Sequence, residues 1–203
     1  NPMCKDQPSF RDLESALRGS DAFTHAVIAT PVETHFSVLV DLMRGLPNAA
    51  IMIEKPLFDA GLPDELGIPK QAAKYFVGFN WRFNSGIMKL KAEIESGDLG
   101  EIQYAQLTAR EWVPSIAATA WRDSGSHILD TARFLFGDLE HTSLRVWKNN
   151  GSQFASCHLQ SIRTGAGIDI HVNCANADWR KYDYRILVQG SKRTAIYQID
   201  KAE

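Results

Sequence analysis

The feature that most constrains this chain is a strand, a helix and a second strand read in close succession between His25 and Pro56. His25-Ala26-Val27-Ile28-Ala29 is a short apolar run with β-branched residues that stops at Thr30-Pro31, the pattern of a strand buried on both faces of a parallel sheet. From Glu33 to Arg44 the apolar residues Phe36, Val38, Leu39, Val40, Leu42 and Met43 predict a helix, ended by Gly45. Ala49-Ala50-Ile51-Met52-Ile53 is a second apolar strand that runs straight into Glu54-Lys55-Pro56. A strand–helix–strand unit with short connections forces a right-handed crossover and places its ligand edge at the carboxyl ends of the strands. Both ends carry chemical groups here: Thr30 and His35 at the first, Glu54 and Lys55 at the second. A third strand, Tyr75 to Asn80, ends the same way at Trp81-Arg82-Phe83, and the segment between holds Gly61, Pro63, Gly67 and Pro69, which predicts a short or irregular crossover.

Ahead of this unit, Phe10, Leu13, Ala16 and Leu17 predict a short amphipathic helix over 10–19. Beyond Arg82 the texture changes. Ile87 to Ser96 reads as a charged amphipathic helix stopped at Gly97, and Ile102 to Arg110 alternates as a strand. Ser143 to Ile199 is mostly strand-like, with turns at Asn149-Asn150-Gly151, Thr164-Gly165-Ala166-Gly167 and Gln189-Gly190-Ser191-Lys192. The expected fold class is α/β plus α+β: a parallel sheet first, then an open, mainly antiparallel sheet faced by helices. The boundary is placed near Phe83, giving domains over 1–83 and 84–203.

A chain of 203 residues with 44% hydrophobic content can bury a real core. With 22 basic against 24 acidic residues there is no global reason to expect a nucleic acid or an anionic membrane as partner. No apolar run approaches the roughly 20 residues of a membrane span. The three cysteines, Cys4, Cys157 and Cys174, are odd in number and lack metal-type spacing, so a reduced cytoplasmic setting is expected. The first residue is Asn1 rather than Met.

The densest chemistry lies between Trp121 and Gly137. At about 100° per residue, Asp123, His127, Asp130 and Phe134 fall on one stripe of a helix, with Ile128, Leu129, Ala132, Leu135 and Phe136 opposite. Asp123 and His127 at i, i+4 are side by side, so the carboxylate can orient the imidazole for acid/base work. The plainer alternatives are that Asp123 or Ser124 caps the helix and that His127 sits at the rim of a core. No metal is assigned, because no second histidine or acidic cluster accompanies Asp123, His127 and Asp130; His158 and His171 read as sheet-surface residues. Lys55, at a strand end and held stiffly by the following proline, can stabilise a developing alkoxide or pass on a proton, or can simply reach for solvent.

Taken together these residues resemble the Gfo/Idh/MocA oxidoreductases, which include glucose-fructose oxidoreductases and inositol dehydrogenases. The resemblance covers nearly the whole chain in order: Asp12-Leu13-Glu14; Val27-Ile28-Ala29-Thr30-Pro31 with His35; Gly45; Glu54-Lys55-Pro56; Val77-Gly78-Phe79-Asn80 with Arg82-Phe83; Ser96-Gly97-Asp98-Leu99-Gly100; and Asp123-x-Gly125-x-His127-x2-Asp130. It implies a Rossmann-type first domain, a second domain whose sheet builds homo-oligomers, and hydride exchange between NAD or NADP and a sugar or cyclitol hydroxyl. By the same resemblance the catalytic group is Lys55, Asp123 and His127. Ala29, Thr30, Pro31, His35, Glu54, Lys55 and Arg82 would lie along the cofactor, with Trp81 near its nicotinamide end.

Two departures stand out. None of the 14 glycines forms Gly-x-Gly-x-x-Gly; Gly165 and Gly167 come nearest and fail at Ile170. The expectation is therefore a piece of a longer enzyme, the alternative being a short, inactive form that binds sugars or regulates. The family's glycine run before the Asp-x3-His helix is replaced by Ala118-Thr119-Ala120-Trp121, where an indole can narrow the pocket or stack on a sugar ring.

Overall fold

The computed structural model describes residues 9–18, 23–57, 74–112, 124–175 and 183–200. The chain divides into two compact units, Asn1–Gly78 and Phe79–Glu203.

In the first unit β1 (His25–Ile28), β2 (Ala50–Ile53) and β3 (Tyr75–Val77) form a parallel sheet in the order β1-β2-β3. Between β1 and β2 runs the helix that the periodicity predicts, spanning Val32–Gly45. Its Leu39, Leu42 and Met43 meet Ile28, Ile51 and Ile53 in one buried cluster. A shorter helix, Leu13–Arg18, precedes β1. It starts at Leu13 rather than Phe10 because Asp12 stops it: the Asp12 carboxylate accepts from the Ser15 backbone N–H at 2.8 Å, while the Asp12 N–H reaches the Ser15 hydroxyl at 3.3 Å. This is a reciprocal cap. The bond from the Ser15 N–H also holds the Asp12 carboxyl below its usual range. The expectation that β1 is buried on both faces does not hold. Ile28 is buried, yet Val27 is 66% exposed and Phe76 of β3 is 53% exposed. Successive strand residues point to opposite faces; the helix between β1 and β2 covers one, and among the described residues nothing covers the other.

The second unit begins with a 3-10 turn, Asn80–Phe83, followed by a helix over Ser85–Glu95 whose N-cap, Asn84, accepts from the N–H groups of Gly86 and Ile87 at 2.9 and 3.3 Å. The turn's Trp81 and Arg82 side chains engage residues of this unit, which is why Phe79–Phe83 belong to it rather than to the first. Then come β4 (Ile102–Trp112), the Asp/His helix over Ser126–Phe136, and β5 (Leu139–Asn149), β6 (Ser152–Ser161), β7 (Gly167–Ala175), β8 (Asp183–Gly190) and β9 (Thr194–Asp200). The sheet order is β5-β6-β7-β4-β8-β9, antiparallel throughout except for the parallel pair β4–β7.

Alternation sorts this sheet into two faces. Ala105, Leu107, Ala109, Ile168, Ile170, Val172, Ile186 and Val188 are buried under the two helices, together with Ile87, Leu90, Ile128, Leu135 and Phe136. The helices are linked by Lys91, whose ammonium donates to the Phe134 carbonyl at 2.9 Å and lies 4.6 Å from the Phe134 ring centroid. Gly137, at φ 83°, ends the second helix where the sequence places its stop, and its N–H donates to the Arg133 carbonyl. The open face carries Tyr104, Asp169 and His158. Asp169 accepts from the Tyr104 hydroxyl at 2.9 Å and pairs with the His158 ring. Burial, and after it the bond to Asp169, pushes the Tyr104 phenol up to about 12.

Candidate functional site

At the carboxyl ends of β1 and β2 the chain makes two turns. Ala29, Thr30, Pro31 and Glu54 are exposed, and Lys55 is half-buried ahead of a cis bond to Pro56. The ladder continues one residue past each strand, Glu54 N–H donating to the Ile28 carbonyl at 2.9 Å and Gly78 N–H to the Ile53 carbonyl at 2.7 Å. Gly78 sits where a Cβ would come 2.9 Å from Met52 Cε and 3.3 Å from the Ile53 carbonyl oxygen, so a side chain there would displace the Met52 methyl group and crowd the end of β2. The Thr30 hydroxyl accepts from Thr34 Oγ1 at 2.8 Å. His35 is different: only 2% exposed, it has Nδ1 2.8 Å from the Pro56 carbonyl oxygen and Nε2 2.8 Å from that of Thr30. Both ring nitrogens are thus committed to the backbone, leaving neither for a ligand.

This edge gathers exposed backbone, a hydroxyl, a carboxylate and an ammonium on one end of a parallel sheet, where such sheets bind ligands. The residues fit the part of a nicotinamide dinucleotide that lies across strand ends. The glycine-rich turn that would cradle its pyrophosphate is not among these 203 residues.

In the second unit the site residues are Trp81, Arg82 and His127. The Asp/His helix is entered through a single wider turn at Ser124–Gly125, and the residue at its N-cap, Gly125, has no side chain to cap with. Ser124 is 1% exposed. Asp123, and Trp121 before it, lie outside the described residues. The Trp81 indole stacks on the His127 imidazole, centroids 5.2 Å apart and planes 13° from parallel. The edge of the Phe79–His127 pair closes a second side at 6.1 Å, and Tyr184 of β8 meets Trp81 at 4.2 Å and 83°. The imidazole is held in one plane by aromatic neighbours, which suits a group that must present a proton in one direction.

The polar stripe of this helix is not the open face that its periodicity suggests. Asp130 is 8% exposed and is gripped by Arg82, Nε donating to Oδ2 at 2.8 Å and the terminal nitrogen to Oδ1 at 2.5 Å. That hydrogen bond raises the guanidinium above its ordinary range against the opposing effect of burial. The bond was not foreseen, although both residues stand in the quoted motifs: the partners are 48 positions apart, beyond any periodic signal, and the resemblance assigns Arg82 to the cofactor. Among the described residues no group of three or more His, Cys, Asp or Glu side chains is placed to hold a metal ion.

The structure therefore brings Thr30, His35 and Lys55 to one sheet edge in the first unit, and Trp81, Arg82, His127 and Asp130 to one cluster in the second. Comparison with known proteins gives three findings. A family model described as the GFO/IDH/MocA C-terminal domain matches residues 87–196. The inositol 2-dehydrogenase of Rhizobium meliloti (strain 1021) is 28% identical over 194 residues, 87% of this chain and 58% of its own length, and that of Rhodococcus jostii (strain RHA1) is 30% identical over 190 residues, 86% and 50% respectively. The crystal structure of a provisionally named myo-inositol dehydrogenase from Sinorhizobium meliloti 1021 superposes with a TM-score of 0.71 at 28% identity, covering 89% of this chain and 59% of that one. The chain thus spans about half the length of the curated relatives it matches, 58% and 50% of the two named.

Proposed function

The chain belongs to the GFO/IDH/MocA family, and from that premise we propose that it serves an NAD(P)-dependent oxidoreductase acting on a hydroxyl or keto group of a sugar, sugar derivative or cyclitol. The observation that carries this reading is His127, held in plane by Trp81 within the Asp-x3-His-x2-Asp pattern. The inositol 2-dehydrogenases among its relatives support the substrate class.

When bound, the nicotinamide supplies the hydride acceptor or donor. His127 takes the proton of the substrate hydroxyl as the alcohol is oxidised and returns it on reduction. The Lys55 ammonium stabilises the oxygen as negative charge develops on it, and Asp123 orients the group. Ala29, Thr30, Pro31 and Glu54 would offer exposed atoms to the cofactor and Trp81 would serve its nicotinamide end, while His35 and Arg82 each hold their own turn through the bonds described above. The open face of the six-stranded sheet is the surface assigned to self-association.

The test is turnover by the protein carrying this chain, with inositols and simple sugars as substrates and NAD or NADP as cofactor. Lys55→Met and His127→Gln should each lower kcat by roughly 10²- to 10⁴-fold, the contribution expected of a positioned proton-transfer group. Unchanged turnover in either variant removes that residue from the mechanism. Sugar binding with no response to either cofactor would favour the non-enzymatic reading instead.

A further inference from the structure

Both partners of the His35 ring are backbone carbonyls, the Pro56 oxygen at 2.8 Å from Nδ1 and the Thr30 oxygen at 2.8 Å from Nε2. A carbonyl oxygen has lone pairs and no hydrogen to give. A neutral imidazole has one N–H and one bare nitrogen, so it would bond one carbonyl and turn a lone pair on the other. With the residue 2% exposed, no bulk water stands ready to separate the two like-charged atoms. Only a ring protonated on both nitrogens satisfies the geometry on both sides.

We propose that His35 is a positioning residue held as the imidazolium, donating from both nitrogens and so clamping the turn after β1 to the turn after β2. One rigid ring then fixes the Thr30 carbonyl and the Pro56 carbonyl relative to one another, and with them the backbone of Lys55, which immediately precedes Pro56. The helix over Val32–Gly45 supplies the rigidity: His35 lies in its first turns and Leu39 below it is fully buried. The ionisable side chains on the segments that meet here are Glu33 in the first turn of that helix, and Glu54 and Lys55 after β2. This assigns His35 a part different from contact with the cofactor, and its functional weight rests on the reading of Lys55 as catalytic.

The experiment needs no turnover. In the chain labelled with ¹⁵N-histidine, long-range ¹H–¹⁵N spectra at neutral pH report the protonation of each ring nitrogen. Among the six histidines, the His35 ring, assigned through its own Cβ connectivity and confirmed by its loss in His35→Gln, is expected to show two N–H groups and both nitrogens in the protonated range. A single-tautomer neutral pattern overturns the clamp. Lysine side chains labelled with ¹³C at Cε give the positioning readout: the Lys55 signal, identified by its loss in Lys55→Met, is expected to shift in His35→Gln while the other lysines stay in place. An unmoved Lys55 signal overturns the positioning role. If His35→Gln does not fold, His35→Asn takes its place, and the ring pattern of the unaltered chain still decides the protonation. Failure of Lys55→Met to affect turnover would remove the catalytic reading and leave these two spectra as they are.

Discussion

Arg82 grips the carboxylate of Asp130 with two nitrogens, at 2.8 and 2.5 Å, and its neighbour Trp81 stacks on His127. Consecutive residues of the 3-10 turn therefore meet side chains three apart on the helix, which share one face. The two contacts act as adjacent rungs: the ion pair fixes the turn against the helix, and the stack then fixes the imidazole plane.

Arg82→Ala should leave a nearly buried carboxylate without its cation. Breaking a buried pair costs about 3–5 kcal/mol, but the Arg82 side chain is 41% exposed, so water replaces part of the loss and roughly 1–3 kcal/mol is expected. Arg82→Lys should recover little, since an ammonium cannot reproduce the two-nitrogen fork. Denaturant midpoints read the effect; a change of only a few tenths of a kcal/mol would show that the pair contributes no more than a surface contact.

Trp81 should sense the ring that lies on it. With centroids 5.2 Å apart and planes nearly parallel, the imidazole contributes directly to the surroundings of the indole. His127→Gln should therefore change the tryptophan emission of the folded protein, and the same substitution on a Trp81→Phe background should change it little, despite the four other tryptophans among the five in the chain. An equal change on both backgrounds would place its source elsewhere.

Tyr104 should ionise late. Its folded phenol is raised to about 12 from 10.0, by burial first and by Asp169 second. A raised group contributes stability that is fully present below its unfolded value and is lost as pH climbs through its folded one. Stability should therefore decline between pH 10.0 and about 12, and Tyr104→Phe should remove that part of the decline. Phenolate absorbance during alkaline titration checks it: a late step that is lost in Tyr104→Phe is expected, and it should move to lower pH in Asp169→Asn.

Gly190→Ala should destabilise by roughly 1–3 kcal/mol, the usual cost of overpacking. A Cβ at this position would lie 2.1 Å from the Leu99 carbonyl oxygen, a backbone atom that cannot swing away. Gly97→Ala is the control. Its Cβ would meet nothing within 4 Å, so only the positive φ of 75° opposes it, at about 1 kcal/mol. Thermal unfolding of the two variants separates steric from backbone cost.

Much of this molecule is legible locally. The apolar run ending at Ile28, the periodic stripe of Leu39, Leu42 and Met43, and the stop at Gly137 are signals with a period of 2 or 3.6 residues, carried within one element and recoverable without knowing what that element meets. The ordered motifs from Asp12 to Asp130 likewise brought out the family; the roles given to Lys55 and His127 remain the proposal made above. The burial of β1 was misjudged because an apolar strand says that something covers it without saying how many faces are covered.

By itself, then, the sequence determined the kinds of elements, their order and the turns between them, because hydrophobic period, capping and turn chemistry act over a few residues, and its ordered motifs marked the family. Only the tertiary structure decided that β4 pairs with β7 in parallel, that Arg82 serves Asp130, that Trp81 lies flat on His127 and that His35 spends both nitrogens on Thr30 and Pro56. Those choices depend on which side chains a packed core brings within hydrogen-bond reach across tens of residues, and no periodicity along the chain encodes such a distance.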